Sequence, residues 1–509
     1  MSNILEMAIG IEVLTNYNVY IMDLLSKKLS HHFLDAFGDT DIEYLSKISP
    51  QGLEHSCVVS SNSSLAEILG IDDNYLDDPN TLEMFSGNFV PSSVKPIALV
   101  YSGHQFGVWA GQLGDGRAMT LGEIDVSGEL WDIQLKGSGT TPYSRFADGR
   151  AVLRSSIREY LCSEAMNGLG IETTRALCLI DSSTPVYREG VERAAIVCRV
   201  ARSHIRFGSF EHFHYRGEND GVKKLADYVI QRHFPNSDIG PDGYRRLFEN
   251  AVAQTAKTIA KWQSVGFAHG VMNTDNMSIL GETIDYGPFG FIDSYDPKFI
   301  CNSSDSHGRY AFENQPSIGL WNLNALANTL VSLISVQDLT TILKTYETTF
   351  RKKYYELMGA KLGITDVGEA DSQLIDRLLL ILETEQIDYT NFFRSICEYR
   401  SREENAFLAN LFKNRAGFDS WCTDYDGRLR QRDLPREERR LKMLAVNPKY
   451  VLRNYIAQEA IDAAEQKDYS LVNNLLTTLQ APYDEHPEMR RFASNPPKWA
   501  SAISVSCSS

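Results

Sequence analysis

Strand-forming and helix-forming segments are segregated along this chain, and this order constrains the fold more than any other feature. Alternating and apolar runs separated by Gly-rich turns dominate from residue 96 to about residue 200, and helical periodicity dominates afterwards. Strands followed by helices, without regular alternation of the two, are typical of an α+β architecture. We therefore predict an α+β fold with a β-rich lobe, a helical lobe and a ligand-binding cleft between them.

Individual segments carry clear periodicity. In "ELWDIQLKG" (129–137) apolar residues alternate with Asp132, Gln134 and Lys136, which predicts a strand. The apolar run "RAAIVCRVA" (193–201) suits a buried strand. Apolar residues at helical spacing predict a helix over 249–266, with Gly266 as its C-terminal stop. Helices are also predicted over 149–170, 319–345, 373–383, 403–415 and 451–477.

The composition excludes several classes of protein. Of the 509 residues, 43% are apolar and 23% charged, which is typical of a globular protein. The net charge of −16 argues against a nucleic-acid partner, because such binding depends on neutralising phosphates with Lys and Arg. No apolar run is long enough to cross a bilayer, so we expect no membrane partner. The eight cysteines form no CxxC pair and no targeting signal stands out, so we expect a cytoplasmic location.

A Gly-rich segment precedes the predicted strand that carries Lys136. In "GVWAGQLGDGRAMTLGE" (107–123), Gly114 and Gly116 would let the backbone approach phosphates, and Arg117 would add a charged contact. Lys136 could bridge phosphate oxygens if Glu159 or Glu164 on the following helix orients it. The alternatives are an ordinary turn between strands and a solvated lysine at a sheet edge.

Several residues that follow Lys136 in the sequence could bind an anion. In "ADGR" (147–150), Asp148 is a candidate helix N-cap and Gly149 would expose free N–H groups. Arg199 and Arg206 lie near the expected boundary between the lobes, where they could clamp a triphosphate or form structural salt bridges. Arg154 and Arg158, spaced at one helical turn, are interpreted as a solvated basic stripe.

The segment "FAHGVMNTDNMSILGETIDYGPFGFIDSYDP" (267–297) has the spacing of a kinase catalytic loop with one substitution. In the protein-kinase motif H-R-D-L-x-x-x-N, the second residue after the His is the Asp that accepts the substrate proton. Here that position is Val271. Asn276 and Asp285 keep the pattern of a magnesium site, and Asp275 is the carboxylate left inside the loop, as base or as metal support. These elements together predict a kinase-like nucleotide site.

Several longer segments resemble the selenoprotein O family of protein adenylyltransferases. They are "YSGHQFGVWAGQLGDGRA", "LKGSGTTPYSRFADGRAVLRSSIREYL", "HGVMNTDNMSILGETIDYGPFGF", "NPKYVLRNYIAQEA" and the terminal "CSS". The resemblance implies a pseudokinase fold that binds ATP in the reverse of the usual kinase orientation. It also implies transfer of AMP to Ser, Thr or Tyr hydroxyls of proteins, with release of pyrophosphate and with Mg²⁺, or alternatively Mn²⁺, as the metal.

The resemblance assigns a role to each candidate residue. It implies that Asp275 accepts the proton, that Asn276 and Asp285 bind the metal, and that Glu159 pairs with Lys136. The residues that it places on the nucleotide are Gly114, Gly116, Arg117, Lys136, Asp148, Gly149, Arg199, Arg206 and Asp285.

The expected organisation has four segments. They are an N-terminal extension (1–95), a kinase-like N-lobe (96–200), a C-lobe with the catalytic and metal loops (201–350) and a helical C-terminal extension with a Cys-containing tail (351–509). Two alternatives to AMP transfer stay open: a phosphotransferase of the choline- or aminoglycoside-kinase type, against which Val271 speaks, and a non-catalytic ATP-binding scaffold.

Cys507 stands where some members of the family carry selenocysteine, so the chain is a cysteine form. We hypothesise a reversible Cys301–Cys507 disulfide that regulates activity. The alternative is two unrelated surface thiols.

Overall fold

The computed structural model describes residues 26–431 and 434–506, and it confirms the predicted α+β class. In this part of the chain, the largest sheet has nine strands: β1 (Leu29–Ser30), β2 (Leu45–Lys47), β3 (Cys57–Ser61), β4 (Ile97–Leu99), β7 (Ala118–Val126), β8 (Glu129–Lys136), β9 (Ala151–Val152), β10 (Arg175–Tyr187) and β11 (Val191–Ala201). All are paired antiparallel, in the order β2-β4-β7-β8-β11-β10-β3, with β1 on β7 and β9 on β11. Two small two-stranded sheets pair β5 (Ser102–Gln105) with β6 (Val108–Gln112), and β12 (Phe267–Ala268) with β13 (Gly290–Phe291).

The centre of the large sheet confirms the two predicted strands. Strand β8 lies between β7 and β11, and Lys136 is opposite Ala118 on one side and Val197 on the other. Residues 132–136 are all buried, including the polar ones on the face away from the apolar side chains. Because both faces are buried, the polar side chains need hydrogen-bond or ion-pair partners from other protein groups or from a ligand.

The chain before residue 96 contributes to the same sheet. Strand β3 pairs with β10, and β2 pairs with β4, so these segments extend both ends of the sheet. Leu53, Leu65 and Phe85 are buried in one core with residues of β8 and β11.

Helices dominate after residue 201. The described helices are α1 (His32–Phe37), α2 (Ser63–Ile68), α3 (Pro79–Phe85), α4 (Leu153–Gly168), α5 (Phe207–Tyr215), α6 (Asn219–His233), α7 (Pro241–Val265), α8 (Gln315–Thr329), α9 (Val336–Leu343), α10 (Thr345–Lys361), α11 (Glu369–Glu385), α12 (Tyr389–Ser395), α13 (Ala406–Ala409), α14 (Arg415–Arg430), α15 (Arg436–Leu444), α16 (Asn454–Glu465) and α17 (Ser470–Gln480). None of the described helices is both long and apolar enough to span a bilayer.

The helix predictions hold best where a stop signal is present. Helix α7 ends at Gly266, which is left-handed at φ +74°. The predicted helix over 319–345 is wrong as one unit, because Ser335 caps a new helix by accepting a hydrogen bond from the Asp338 N–H. The segment 451–477, predicted as one helical stretch, likewise contains two helices, α16 and most of α17. The segment 403–415 is helical only over Ala406–Ala409 and at Arg415.

The last two helices brace helix α4, which carries Glu159. Leu161 and Met166 of α4, Ile456 of α16 and Leu475 of α17 are buried in one hydrophobic core. The carbonyl oxygen of Leu479 lies so close to Gly168 that a Cβ there would be 2.1 Å from it. The C-terminal helices therefore help to hold Glu159 in position behind Lys136.

Candidate active site

A cavity of about 500 Å³ lies between the large sheet and the helical part of the chain. Among the candidate site residues, Glu159 alone does not line it; its carboxylate lies behind Lys136. The others lie on its wall: Gly114, Gly116, Arg117, Lys136, Asp148, Gly149, Arg199, Arg206, Asp275, Asn276 and Asp285. The fold thus brings together residues that are as much as 171 positions apart in the sequence.

Lys136, Glu159 and Arg199 form a buried ion-pair network at the inner wall of the cavity. The Lys136 Nζ donates to Glu159 Oε2 at 2.6 Å, and the Arg199 guanidinium donates to Oε1 of the same carboxylate. Burial lowers the pKa of Lys136 to about 8, with the neighbouring Arg199 acting in the same direction. The Lys136–Glu159 pairing predicted for the strand lysine is therefore present, and Glu164 instead pairs with Arg175 at 2.8 Å.

Asp285 is surrounded by cations. Its two carboxylate oxygens accept from Arg199 and Arg206, and its Oδ1 lies 3.7 Å from the Lys136 Nζ. Burial by itself would raise the pKa of Asp285, but Arg199, Arg206 and Lys136 together hold it well below its usual value. Asp285 has φ +62°, an uncommon conformation for a residue other than glycine that turns its carboxylate into this cluster.

Asp275 occupies the short 3₁₀ turn Thr274–Asn276. Its Oδ2 accepts from the Gln105 Nε2 at 3.1 Å, and its backbone carbonyl accepts from the Arg206 Nη1 at 2.7 Å. Oδ1 is buried and accepts no hydrogen bond from the described residues. Burial raises the pKa of Asp275 to about 6, which makes it a better proton acceptor than a solvated aspartate.

Asn276 and Asp285 carry side-chain oxygens of the kind that bind divalent metals. The Asn276 Nδ2 donates to the Val271 carbonyl at 2.8 Å, so the amide oxygen of Asn276 is the atom left for a ligand. An amide oxygen and a carboxylate are hard donors that fit Mg²⁺ or Mn²⁺. Within the described ranges, no cluster of three or more His, Cys, Asp or Glu is arranged to hold a metal. These two residues therefore fit a cation whose other ligands are nucleotide phosphates and water.

The glycines of the outer wall are needed for close packing of two loops. Gly114 has φ +140°, and a Cβ at this position would lie 2.5 Å from the ring of Tyr143. Gly149 has φ +68°, and its Cβ would lie 2.1 Å from the carbonyl carbon of Gly139. Arg117 is exposed on this wall, and its guanidinium forms no ion pair with the described residues.

The predicted helix N-cap at Asp148 is wrong. Residues Ala151–Val152 pair with β11, so helix α4 begins only at Leu153. The Asp148 carboxylate instead pairs with Arg188 at 2.8 and 2.9 Å and accepts from the Arg150 N–H at 3.0 Å. Because Ala151 and Val152 pair with the sheet, they are not part of the helix. Asp148 therefore does not cap the helix and instead binds Arg188 and the Arg150 N–H at the rim of the cavity.

The solvated stripe predicted for two arginines of α4 is also wrong at Arg158. This residue is buried, donates to the Phe289 carbonyl at 3.0 Å and to the Asn454 Oδ1 at 3.2 Å, and stacks on the Phe289 ring. Arg154 remains partly exposed and pairs with Glu192 at 2.6 Å.

Sequence reasoning missed several cavity residues, and three of them contact predicted site residues. Gln105 holds Asp275, Arg188 holds Asp148, and the ring of Tyr101 lies 4.6 Å from the Arg206 guanidinium. Gln105 lies in the quoted segment "YSGHQFG", which was the available signal for it. Nothing in the local sequence around Arg188 distinguishes it from a surface arginine.

Cys301 is buried beside the start of the 267–297 segment, with its Sγ 3.5 Å from the Ala268 carbonyl oxygen. Cys507 lies outside the described residues, so the Cys301–Cys507 disulfide stays a prediction.

Known proteins are similar to this chain over most of its length. The family profile described as protein adenylyltransferase SelO matches residues 27–480. The chain is 48% identical to the protein nucleotidyltransferase YdiU of Herminiimonas arsenicoxydans over 93% of this chain and 96% of that protein. The protein of the same name from Variovorax paradoxus (strain S110) is 50% identical over 89% of this chain and 91% of its own length. The one from Paraburkholderia xenovorans (strain LB400) is 46% identical over 96% of this chain and 98% of its own length. The chain therefore belongs to the SelO family of protein adenylyltransferases, and it is an enzyme of the nucleotidyltransferase class.

Proposed function

We propose that the enzyme transfers AMP from ATP to Ser, Thr or Tyr hydroxyls of proteins, with ATP bound so that its terminal phosphates lie deepest in the cavity. Pyrophosphate is the second product. In this orientation the α-phosphorus faces the acceptor hydroxyl, whereas in an ordinary kinase the γ-phosphorus does.

The charge of the inner wall is the observation that carries this proposal. Three buried cations, Lys136, Arg199 and Arg206, lie there with the carboxylates of Glu159 and Asp285. A third carboxylate, Asp115, lies 4.0 Å from Arg206, and burial raises its pKa, which reduces its negative charge. A deep adenine site needs apolar walls with a few hydrogen-bonding groups. A cationic wall instead suits phosphate oxygens, because charge-assisted contacts to them are strong where water is excluded. Arg117, free of ion pairs in the described structure, adds a further positive charge nearer the opening.

The reaction needs one proton acceptor and good alignment. The acceptor oxygen forms a bond to the α-phosphorus, the bond from this phosphorus to the bridging oxygen breaks, and pyrophosphate leaves with the electron pair. Asp275 takes the hydroxyl proton, and Gln105 and Arg206 hold this residue in place. Val271, at the usual position of the base, has no group that could do so. Positioning and charge neutralisation account for most of the catalysis of phosphoryl-type transfers, so a base at a different backbone position is compatible with the reaction.

Asn276 and Asp285 are the residues that would hold a divalent cation. Such a cation, when bound, would neutralise charge on the phosphates. Mg²⁺ is the proposed ion and Mn²⁺ the alternative.

The finer predictions from the sequence belong to the same proposal. The strands of the large sheet from β4 onwards, with α4, would correspond to a kinase-like N-lobe over 96–200, and the helices that follow to a C-lobe over 201–350. The segment 1–95, which adds β1, β2 and β3 to the sheet, and the segment 351–509 would be extensions of these lobes. A cytoplasmic location and redox control through Cys301 and Cys507 are part of the proposal as well.

The test is to incubate the enzyme with a protein acceptor, Mg²⁺ and ATP labelled at either the α or the γ phosphate. We expect label on the acceptor from the α position only. Label from the γ position would indicate ordinary phosphorylation, and absence of both labels would indicate a scaffold. Lys136→Ala and Asp285→Ala should abolish the transfer, and Arg154→Ala, which removes an ion pair outside the cavity, serves as the matched control.

A further inference from the structure

A short hairpin beside Asp275 exposes an unusual amount of apolar surface. It consists of β5 and β6 and the turn between them, over residues 102–112. Val108 is 70% exposed, and Trp109 and Phe106 are each 37% exposed. Strand β6 has neither Lys nor Pro, the residues that commonly protect a strand edge from pairing.

The apolar surface continues from the hairpin onto two helices. The Trp109 ring packs at 4.2 Å, centroid to centroid, on Tyr215 at the end of α5. Between the hairpin and α8, the His104 ring lies 5.4 Å from that of Trp321. Tyr215 is itself exposed. We call the surface formed by Val108, Trp109, Tyr215 and Trp321 the hairpin patch.

Hydrogen bonds attach the hairpin to the catalytic loop. The His104 N–H donates to the Thr274 Oγ1 at 2.7 Å, and the Phe106 N–H donates to the Asn273 Oδ1 at 3.1 Å. Together with the bond from Gln105 to Asp275, they bind three consecutive hairpin residues to three consecutive loop residues. The hairpin patch is therefore held at a set position relative to the proposed proton acceptor.

The outer edge of β6 is available for pairing. Strand β6 pairs with β5 and with no other strand in the described part of the chain. A free strand edge offers backbone N–H and C=O groups to an extended peptide, and pockets beside it select side chains.

One cation without a carboxylate partner lies at the same place. The Arg309 guanidinium lies 4.9 Å from the Trp321 ring centroid and directly under Gly107 in the hairpin turn. Its Nε is buried without a hydrogen-bond acceptor, and no carboxylate of the described residues pairs with it. An acidic group of a binding partner would complement this charge.

We propose that the hairpin patch docks an extended segment of the protein substrate, which adds a strand to β6, places an apolar side chain on Val108 and Trp109 and brings an acidic side chain to Arg309. The inference rests on the proposed function, since a protein acceptor must reach Asp275. Phe106 and Gln105 line the nucleotide cavity, so the patch is continuous with the place where the hydroxyl arrives. Val108 and Trp109 lie three and four residues after Gln105, which contacts Asp275, so the apolar and acidic residues of an extended substrate should lie within about four positions of the acceptor.

The test measures transfer of α-labelled AMP to synthetic peptides with a central Ser, Thr or Tyr and with varied flanking residues. Wild-type enzyme should prefer peptides with an aromatic or aliphatic residue and an acidic residue near the acceptor. Val108→Asp and Trp109→Ser should lower kcat/KM for these peptides roughly tenfold or more, mainly through KM. Hydrolysis of ATP to AMP in the absence of peptide should not change.

Matched controls separate docking from general damage. Val336 on α9 is 68% exposed and Trp499 is 46% exposed, so Val336→Asp and Trp499→Ser make the same chemical changes elsewhere on the surface. N-methylation of the peptide backbone near the acceptor should reduce transfer if the segment pairs with β6. A photocrosslinker at position 108 should capture the peptide, and this readout does not depend on catalysis.

The outcomes are distinguishable. Equal kcat/KM for Val108→Asp, Trp109→Ser and their controls would overturn the docking inference while the proposed function stands. Crosslinking of position 108 to residues 1–25 of the same chain would also overturn it, since that segment would then occupy the patch. If wild-type enzyme transfers no α label to any acceptor, the proposed function fails, and the inference fails with it.

Discussion

Replacing Lys361 by methionine should stabilise the protein at neutral pH. Lys361 is the last residue of α10, and it is only 3% exposed. Its Nζ lies 4.8 and 5.9 Å from the ring centroids of Phe393 and Tyr389, and no carboxylate of the described residues pairs with it. Burial lowers the pKa of Lys361 from 10.5 to about 7. Methionine has a similar length without the charge, so it should fill the same space.

The sign of the effect follows from proton binding. The unfolded chain keeps the Lys361 proton up to about pH 10.5 and the folded chain only up to about pH 7, so the unfolded state binds more protons between these values. Wild-type stability should therefore rise over this range relative to Lys361→Met. The two pKa values differ by about 3.5, which corresponds to about 5 kcal/mol. Local relaxation and the two aromatic rings reduce this penalty, so we expect about 2–4 kcal/mol at pH 7.

The assay compares thermal unfolding of wild type, Lys361→Met and Lys353→Met between pH 7 and pH 10. With an unfolding entropy of about 2.1 cal/mol/K per residue, 2–4 kcal/mol raises the Tm by about 2–4 °C for a chain of this length. Lys353 lies on the same helix in an ion pair with Glu356 at the surface, so its replacement should change stability by less than about 0.5 kcal/mol. AMP transfer should stay at the wild-type rate, since Lys361 is not among the cavity residues. A variant less stable than wild type at pH 7, or a difference independent of pH, would refute the reasoning.

Three other substitutions test the site and its supports. Glu159→Gln removes the carboxylate shared by Lys136 and Arg199, so kcat in steady-state AMP transfer should fall roughly a hundredfold, and an unchanged kcat would contradict the network's role. Gly149→Ala should lower the free energy of unfolding by about 2 kcal/mol or more, because Gly149 has φ +68° and no space for a Cβ. Gly190 has open space around it, so Gly190→Ala is the control. Its free energy of unfolding should stay within about 0.5 kcal/mol of the wild-type value. Arg453→Met leaves Asp293 and Asp388 without their buried partner and should cost about 3–5 kcal/mol in denaturant unfolding, so a loss below about 1 kcal/mol would contradict the assignment.

Local sequence patterns predicted much of the fold and the membership of the cavity. The alternation at 129–137 corresponds to β8, the apolar run at 193–201 lies within β11, and Gly266 ends α7. These predictions succeeded because side-chain periodicity and glycine conformation act over a few residues. The loop spacing likewise predicted Asn276 and Asp285 as site residues, because their motif is local in the sequence, and both line the cavity. Their binding of a metal stays a prediction.

Other features depend on contacts between distant segments. The sequence could not indicate that Asp148 pairs with Arg188, or that Arg158 is buried against Phe289. The contact of Gln105 with Asp275 joins residues 170 positions apart. Each of these outcomes was decided by which surfaces pack together, and a local pattern does not contain that information.

By itself, the sequence determined the α+β class, the order of the elements and the set of polar residues that the fold had to bring to one place. Only the tertiary structure decided which carboxylate neutralises which cation, and how the β5–β6 hairpin lies against the loop that carries Asp275. The physical reason is that the free energy of a buried charge depends on partners within a few ångströms in space, whatever their separation along the chain.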